Sequence, residues 1–218
     1  MRMGTTSQSQ AALPVPSYWD EAKAELMKRD RIMRRLIPQF GALQLQGRGE
    51  PFTTLARSIV GQQISVKAAD TVWQRLTATC SNWNASAVLQ TGTEALSACG
   101  LSKRKTEYIL DLADHFHARR VDAESWMEME DEAVIVELTQ IRGIGRWTAE
   151  MFLIFNLHRP NILPLDDLGL LKAISRNYFS GEPVSRSDIR EVAANWEPWR
   201  TVATWYMWRS LDPTPTAY

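Results

Sequence analysis

Leu138-Thr139-Gln140-Ile141-Arg142-Gly143-Ile144-Gly145-Arg146-Trp147-Thr148-Ala149 is the stretch on which the reading of this chain turns. Two glycines, one residue apart, lie between two apolar patterns of helical period, so the segment predicts helix, hairpin, helix. Glycine at the turn permits a positive φ and lets the backbone approach a partner closely. The N–H groups after Gly145 then open a helix without intrahelical acceptors, and such an end attracts phosphate through its dipole without needing net protein charge. Arg142 and Arg146 flank it. By itself Gly-x-Gly is more often only a tight turn between helices.

Upstream, Leu55 and Ile59 stand one turn apart before Gly61-Gln62-Gln63 interrupts them. Ile64, Ala68, Val72 and Leu76 resume at a spacing of four, with Ser65 placed as a cap. Tyr108, Leu112 and Phe116 mark a helix entered through Ser102-Lys103-Arg104-Lys105, a basic run read as phosphate contacts or as a solvated face. The acidic stretch Glu128–Glu132 suits the start of the helix carrying Val134, Ile135 and Leu138. Nearer the N-terminus, Ser17 and Asp20 form a cap-like pair ahead of one stripe, Ala22, Leu26, Met33 and Leu36, which Pro38 ends.

Downstream, Trp147, Met151, Ile154 and Phe155 make an apolar helix. Leu171, Ile174 and Tyr178 stripe the next, Ile189, Val192 and Ala193 another, and Pro198 is placed to open the last. Strand-like alternation is nowhere sustained. The expected fold is all-α with nine or ten helices.

The bulk numbers bound the function. The 218 residues carry 25 Lys+Arg against 25 Asp+Glu, so any nucleic-acid footprint must be small and local. Cys80 and Cys99, with His115, His117 and His158, have no zinc-site spacing, and four cysteines for an iron–sulfur cluster are not present. The two cysteines read as buried thiols. No apolar run approaches the ~20 residues of a membrane span, and residues 1–16 lack a signal-peptide core. A cytoplasmic protein is expected, nucleoid-associated if bacterial. Nine tryptophans are many for this length, and five fall between Trp147 and Trp208.

The hairpin string closely resembles that of the helix–hairpin–helix DNA glycosylase superfamily, Leu-x-x-(Leu/Ile)-Pro-Gly-(Ile/Val)-Gly-x-x-(Thr/Val)-Ala. Arg142 replaces the proline, which either loosens the turn or adds a phosphate contact. Three further strings follow that family in order: Gly61-Gln62-Gln63-Ile64-Ser65, Leu163-Pro164-Leu165-Asp166-Asp167-Leu168-Gly169, and Trp196-Glu197-Pro198-Trp199-Arg200 with Trp208 beyond it. The resemblance spans about Phe52 to Trp208 and points to the DNA-3-methyladenine glycosylase II branch, in a compact form with too little chain before Phe52 for an added β-domain.

The resemblance implies two helical subdomains, a central bundle over 52–158 containing the hairpin at 138–149, and a second assembled from 17–51 and 159–218. The active-site cleft would lie between them, with 1–16 a flexible lead-in. It assigns Asp167 as the catalytic carboxylate, with Asp166 as cap or neighbour. Trp147, Trp208 and Met151 would line the base pocket, Gln62 and Gln63 would supply the wedge, and Gly143, Gly145, Arg146 and Thr148 would hold the DNA backbone. Backbone carbonyls of Thr139, Ile141 and Ile144 would hold a potassium or sodium ion; no other cofactor is expected. Bifunctional relatives place a lysine where Trp147 stands, so the implied enzyme is monofunctional: a monomer that hydrolyses the N-glycosidic bond of alkylated purines such as 3-methyladenine and 7-methylguanine in double-stranded DNA. A glycosylase for another purine lesion, or a non-catalytic hairpin DNA-binding protein, are the alternatives.

Overall fold

The computed structural model describes residues 15–47, 49–80 and 82–211; the expectation for 1–14 lies outside them. Eleven α-helices follow one another among these residues, with no strand: α1 Trp19–Arg29, α2 Arg31–Leu36, α3 Pro51–Gly61, α4 Val66–Thr79, α5 Ala85–Ala98, α6 Lys103–His117, α7 Asp131–Thr139, α8 Arg146–Phe155, α9 Leu168–Tyr178, α10 Arg186–Ala194 and α11 Arg200–Leu211. None is long and apolar enough to cross a membrane.

The caps explain most of the boundaries. Ser65 and Ser102 accept from the N–H of Ala68 and Lys105, as their positions predict. Asp131 and Glu132 occupy the first turn of α7. Ser17 and Asp20 do not cap α1, whose N-cap is Tyr18 with no side-chain bond. The single N-terminal helix expected from the stripe is two, because Asp30 leaves the helical region (φ −127°, ψ 122°) and caps α2 through the N–H of Ile32 and Met33. Pro38 falls in a 3₁₀ turn after α2. Pro198 does not open the last helix: a turn closed by the Trp199 N–H on the Trp196 carbonyl holds it ahead of Arg200. α5, which the apolar pattern did not reveal, is small-residue-rich and kinked at Gly92 (φ 75°).

Packing places the chain ends together. α1 and α2 lie on α11, and α11 on α9; α3 packs on α4, α6 and α8, α5 on α4 and α6, and α7 on α8. One buried apolar cluster runs through both groups, from Trp19 and Leu26 to Leu55, Ile109, Leu153 and Tyr206. Asp30 links the ends: its buried carboxylate also accepts from the Tyr178 hydroxyl at 2.7 Å and the Trp196 indole at 3.2 Å. Burial, then Asp30, push the Tyr178 phenol up, so it stays a donor.

Candidate active site and hairpin

α8 starts at the hairpin, and its apolar face builds a pocket wall. Trp147, Met151 and Phe155 recur every four residues, one above the other. Opposite them run Asp166, Asp167, Leu168 and Gly169 at the start of α9, with Trp208 from α11. Together these eight residues enclose a pocket of about 360 Å³.

Asp167 is the centre of the pocket's polar chemistry. It is the N-cap of α9, its Oδ1 accepting from the Leu170 N–H at 2.6 Å. The same oxygen takes the Trp208 indole N–H at 2.8 Å, and Oδ2 takes that of Trp147 at 2.8 Å. The group is 8% exposed. With one donor against two on Oδ1, Oδ2 has the greater capacity left for a water or a developing charge. Gly169 makes room for this: a Cβ there would sit 3.1 Å from Asp167 Oδ1 and 3.3 Å from Trp208 Cδ1. Asp166 is not the cap; it lies at the exposed rim of the pocket and pairs with Arg186.

The tryptophans divide as the helical spacing suggested. Trp205 is buried against Trp19, edge to face at 5.2 Å, while Trp208 stacks on Phe155 at 5.9 Å and 11° beside the pocket. Trp147 stays 44% exposed despite its bond to Asp167. Three lining residues were not singled out from sequence. Phe155 follows Met151 by one turn, a signal that could have found it; Leu168, 80% exposed beside the carboxylate, and Gly169 stood in the family-like string without a pocket role assigned.

The hairpin glycines do different jobs. Gly143 has φ +86°, and a Cβ on it would fall 2.3 Å from the Tyr108 ring, so glycine is required there by the fold. Gly145 has φ −91° and nothing within 4 Å of such a Cβ, so nothing within the protein demands it. It is the exposed N-cap of α8 and supplies no side-chain acceptor, which leaves the N–H groups of Arg146, Trp147 and Thr148 open. Thr148 itself is buried.

Both flanking arginines are held by carboxylates. Arg142, where the family pattern has proline, donates its backbone N–H to Asp111 Oδ2 at 2.8 Å and its Nε to Oδ1 at 3.2 Å. A proline could not make the first bond, so the turn is pinned rather than loosened. Arg146 forks onto Glu132 at 2.7 and 2.8 Å and reaches Glu150 at 3.0 Å. The Arg146 guanidinium holds Glu132 below the usual carboxylate range, whereas burial pushes Glu150 up against the same partner.

The Ile141 carbonyl takes the Ile144 N–H at 3.1 Å. The Thr139 and Ile144 carbonyls accept no turn hydrogen bond among the described residues, so this oxygen donor set fits a hard monovalent cation.

The expected wedge residues part company. Gln62 donates its amide to the Gly143 carbonyl at 2.8 Å and so belongs to the scaffold. Gln63 is exposed, in the left-handed region at φ 59°, at the tip of the break between α3 and α4. Ile64, expected at the start of the next helix, is in that break too, 42% exposed. Of the basic run, Arg104 bonds the Tyr108 hydroxyl at 2.8 Å, and Lys105 turns inward to the carbonyls of Val60 and Gln62.

Comparison with known proteins identifies the family. Residues 56–200 match the HhH-GPD superfamily of base excision DNA repair proteins. DNA-3-methyladenine glycosylase 1 of Schizosaccharomyces pombe is 28% identical over 87% of this chain and 86% of its own. The crystal structure of DNA-3-methyladenine glycosidase from Bacillus halodurans superposes with a TM-score of 0.84 at 32% identity, over 92% of this chain and 93% of that one. The 3-methyladenine DNA glycosylase of S. pombe, solved in complex with abasic DNA, gives 0.77 at 28% identity, over 90% and 100%. The matched stretch takes in both the glycine hairpin and Asp167 and covers well over half of the sequence: the chain belongs to the HhH-GPD superfamily of base excision DNA repair proteins.

Proposed function

We propose that this protein is a monofunctional DNA glycosylase that releases N3- and N7-alkylated purines from double-stranded DNA by hydrolysis. The observation that carries the reading is Asp167, a buried carboxylate held by two indoles on the wall of an aromatic pocket. The C1′–N bond breaks with its electron pair leaving on the base, and water oxygen bonds to C1′, giving an abasic site. Positive charge grows on the sugar as the bond stretches, and a fixed carboxylate facing it lowers the barrier electrostatically. Oδ2 is the oxygen with the greater capacity to orient the water or accept its proton. Alkylation at N3 or N7 makes the purine cationic, which favours it over normal bases against the faces of Trp147 and Trp208.

In this reading the open N–H groups at Gly145–Thr148 take a DNA phosphate, and Gln63 fills the gap left by the extruded base. The Thr139, Ile141 and Ile144 carbonyls would hold a potassium or sodium ion, which when bound supplies positive charge beside that phosphate. Trp147 stands where a Schiff-base lysine would, so no strand nicking accompanies base release, and the protein acts as a monomer in the cytoplasm.

The deciding experiment is chromatography of free base released from methylated duplex DNA by the wild type and by Asp167→Asn. We expect the variant to fold, bind damaged duplex and release bases at least about a hundredfold more slowly. Undiminished release by that variant would overturn the assignment. Borohydride trapping should yield no protein–DNA adduct with the wild type; an adduct would point to lyase chemistry.

A further inference from the structure

One face of α6 touches both loops that the proposed reaction brings to DNA. Lys105, Tyr108 and Asp111 are spaced three residues apart, so they lie along one side of the helix over about 9 Å. At one end the Lys105 ammonium donates to the carbonyls of Val60 and Gln62 at 2.7 and 2.6 Å. These oxygens lie where α3 runs out into the Gln63 loop, at the negative end of that helix. In the middle the Tyr108 ring fills the space that glycine leaves at position 143. At the other end Asp111 accepts the backbone N–H of Arg142 at 2.8 Å. The Gln62 amide on the Gly143 carbonyl, at 2.8 Å, closes the ring directly between the two loops.

We propose that Lys105 and Asp111 are positioning residues that lock the Gln63 loop in register with the glycine hairpin, so that the held phosphate and the inserted side chain act on one nucleotide. The inference rests on the reading of Gln63 as the inserting residue. Its logic is geometric: the Lys105 tie ends on half-buried carbonyls where α3 finishes, the Asp111 tie on an exposed N–H of the hairpin, and neither lies in the Asp167 pocket. A loop displaced by an ångström is costly for a step that needs two contacts at a set distance. The burial that lowers the Lys105 pKa agrees with an ammonium committed to protein carbonyls instead of solvent.

The test compares single-turnover base release from two substrates: 7-methylguanine paired with cytosine in a duplex, and the same lesion in an unpaired bulge where no base pair must be opened. Lys105→Met and Asp111→Ala should each slow release from the paired lesion by about tenfold to a hundredfold, the worth of a lost charge-assisted hydrogen bond. Release from the bulge should stay within about twofold, because the catalytic carboxylate is untouched. Lys105→Arg should recover most of the paired-lesion rate. Equal slowing on both substrates, or no slowing on the paired one in either variant, overturns the inference. If one variant fails to fold, the other decides. Gln63→Ala is run in parallel: if it leaves the paired-lesion rate unchanged, the wedge reading fails, whatever Lys105→Met does.

Discussion

The Trp147 indole N–H lies 2.8 Å from Oδ2 of Asp167, a residue twenty positions further on, so the first turn of α8 directly holds the cap of α9. Trp208 does the same for Oδ1 from α11. Three helices therefore meet at one carboxylate. The two rings line the pocket and donate to the carboxylate through their N–H groups.

Phenylalanine separates these two roles, since it keeps a ring and removes the N–H. Trp147→Phe should lower single-turnover base release about tenfold while changing stability by less than about 1 kcal/mol, because Trp147 is half-exposed. Trp208→Phe should act similarly with a larger loss of stability, and the alanine variants should be slower still. Excision rates and thermal melts measure both; wild-type rates in the phenylalanine variants would remove the indole N–H groups from the mechanism.

The two hairpin glycines predict opposite outcomes for the same substitution. Gly143→Ala forces a side chain into the left-handed region and into the Tyr108 ring, and should cost about 2–4 kcal/mol, seen as a drop in Tm of several degrees. Gly145→Ala meets no atom of the protein and should leave Tm nearly unchanged. Its new Cβ projects from the exposed N-cap of α8, so duplex affinity at fixed salt should weaken about tenfold or more. Unaltered affinity would place the phosphate elsewhere.

His158 should make the fold sensitive to acid. Its Nε2 is buried without a hydrogen-bond partner among the described residues, and burial lowers its pKa below the ordinary 6.5. As pH falls through that value the unfolded chain takes up a proton that the folded chain resists. The stability contributed by the neutral ring is therefore complete above about pH 6.5 and declines below it. Residue 158 has φ +53°, a conformation asparagine tolerates. His158→Asn should accordingly show a shallower fall in Tm between about pH 7 and 5. Parallel Tm curves for the two proteins would show that this ring is not responsible.

Asp30 ties the N-terminal helices to the C-terminal part of the chain. Its carboxylate accepts four donors, from Ile32, Met33, Tyr178 and Trp196. Asp30→Ala strands two buried donors and uncaps α2, and should cost about 3–5 kcal/mol in denaturant titrations. Tyr178→Phe removes one donor alone and should cost about 1 kcal/mol. A reversed order would mean that the hydroxyl, not the carboxylate, organises this contact.

The sequence by itself determined the helical class and the hairpin, because those features are local, while Asp167 was singled out by the resemblance of the string around it to a known family. Glycines between two 3.6-residue patterns, a serine ahead of a helix and an acid at a helix start are read within a few residues. Long-range pairing decided the rest. Asp30, whose cap of α2 divides one N-terminal stripe into two helices, also serves tyrosine and tryptophan side chains more than 140 positions away. Lys105 looked like a surface cation and is instead tied to the end of α3 and the Gln63 loop, Gln62 to the hairpin, and Arg142 and Arg146 to carboxylates on α6, α7 and α8. Periodicity reports which face of an element is apolar, but not which polar groups of distant elements will meet once those faces are buried. Only the tertiary structure brings the donor to its acceptor.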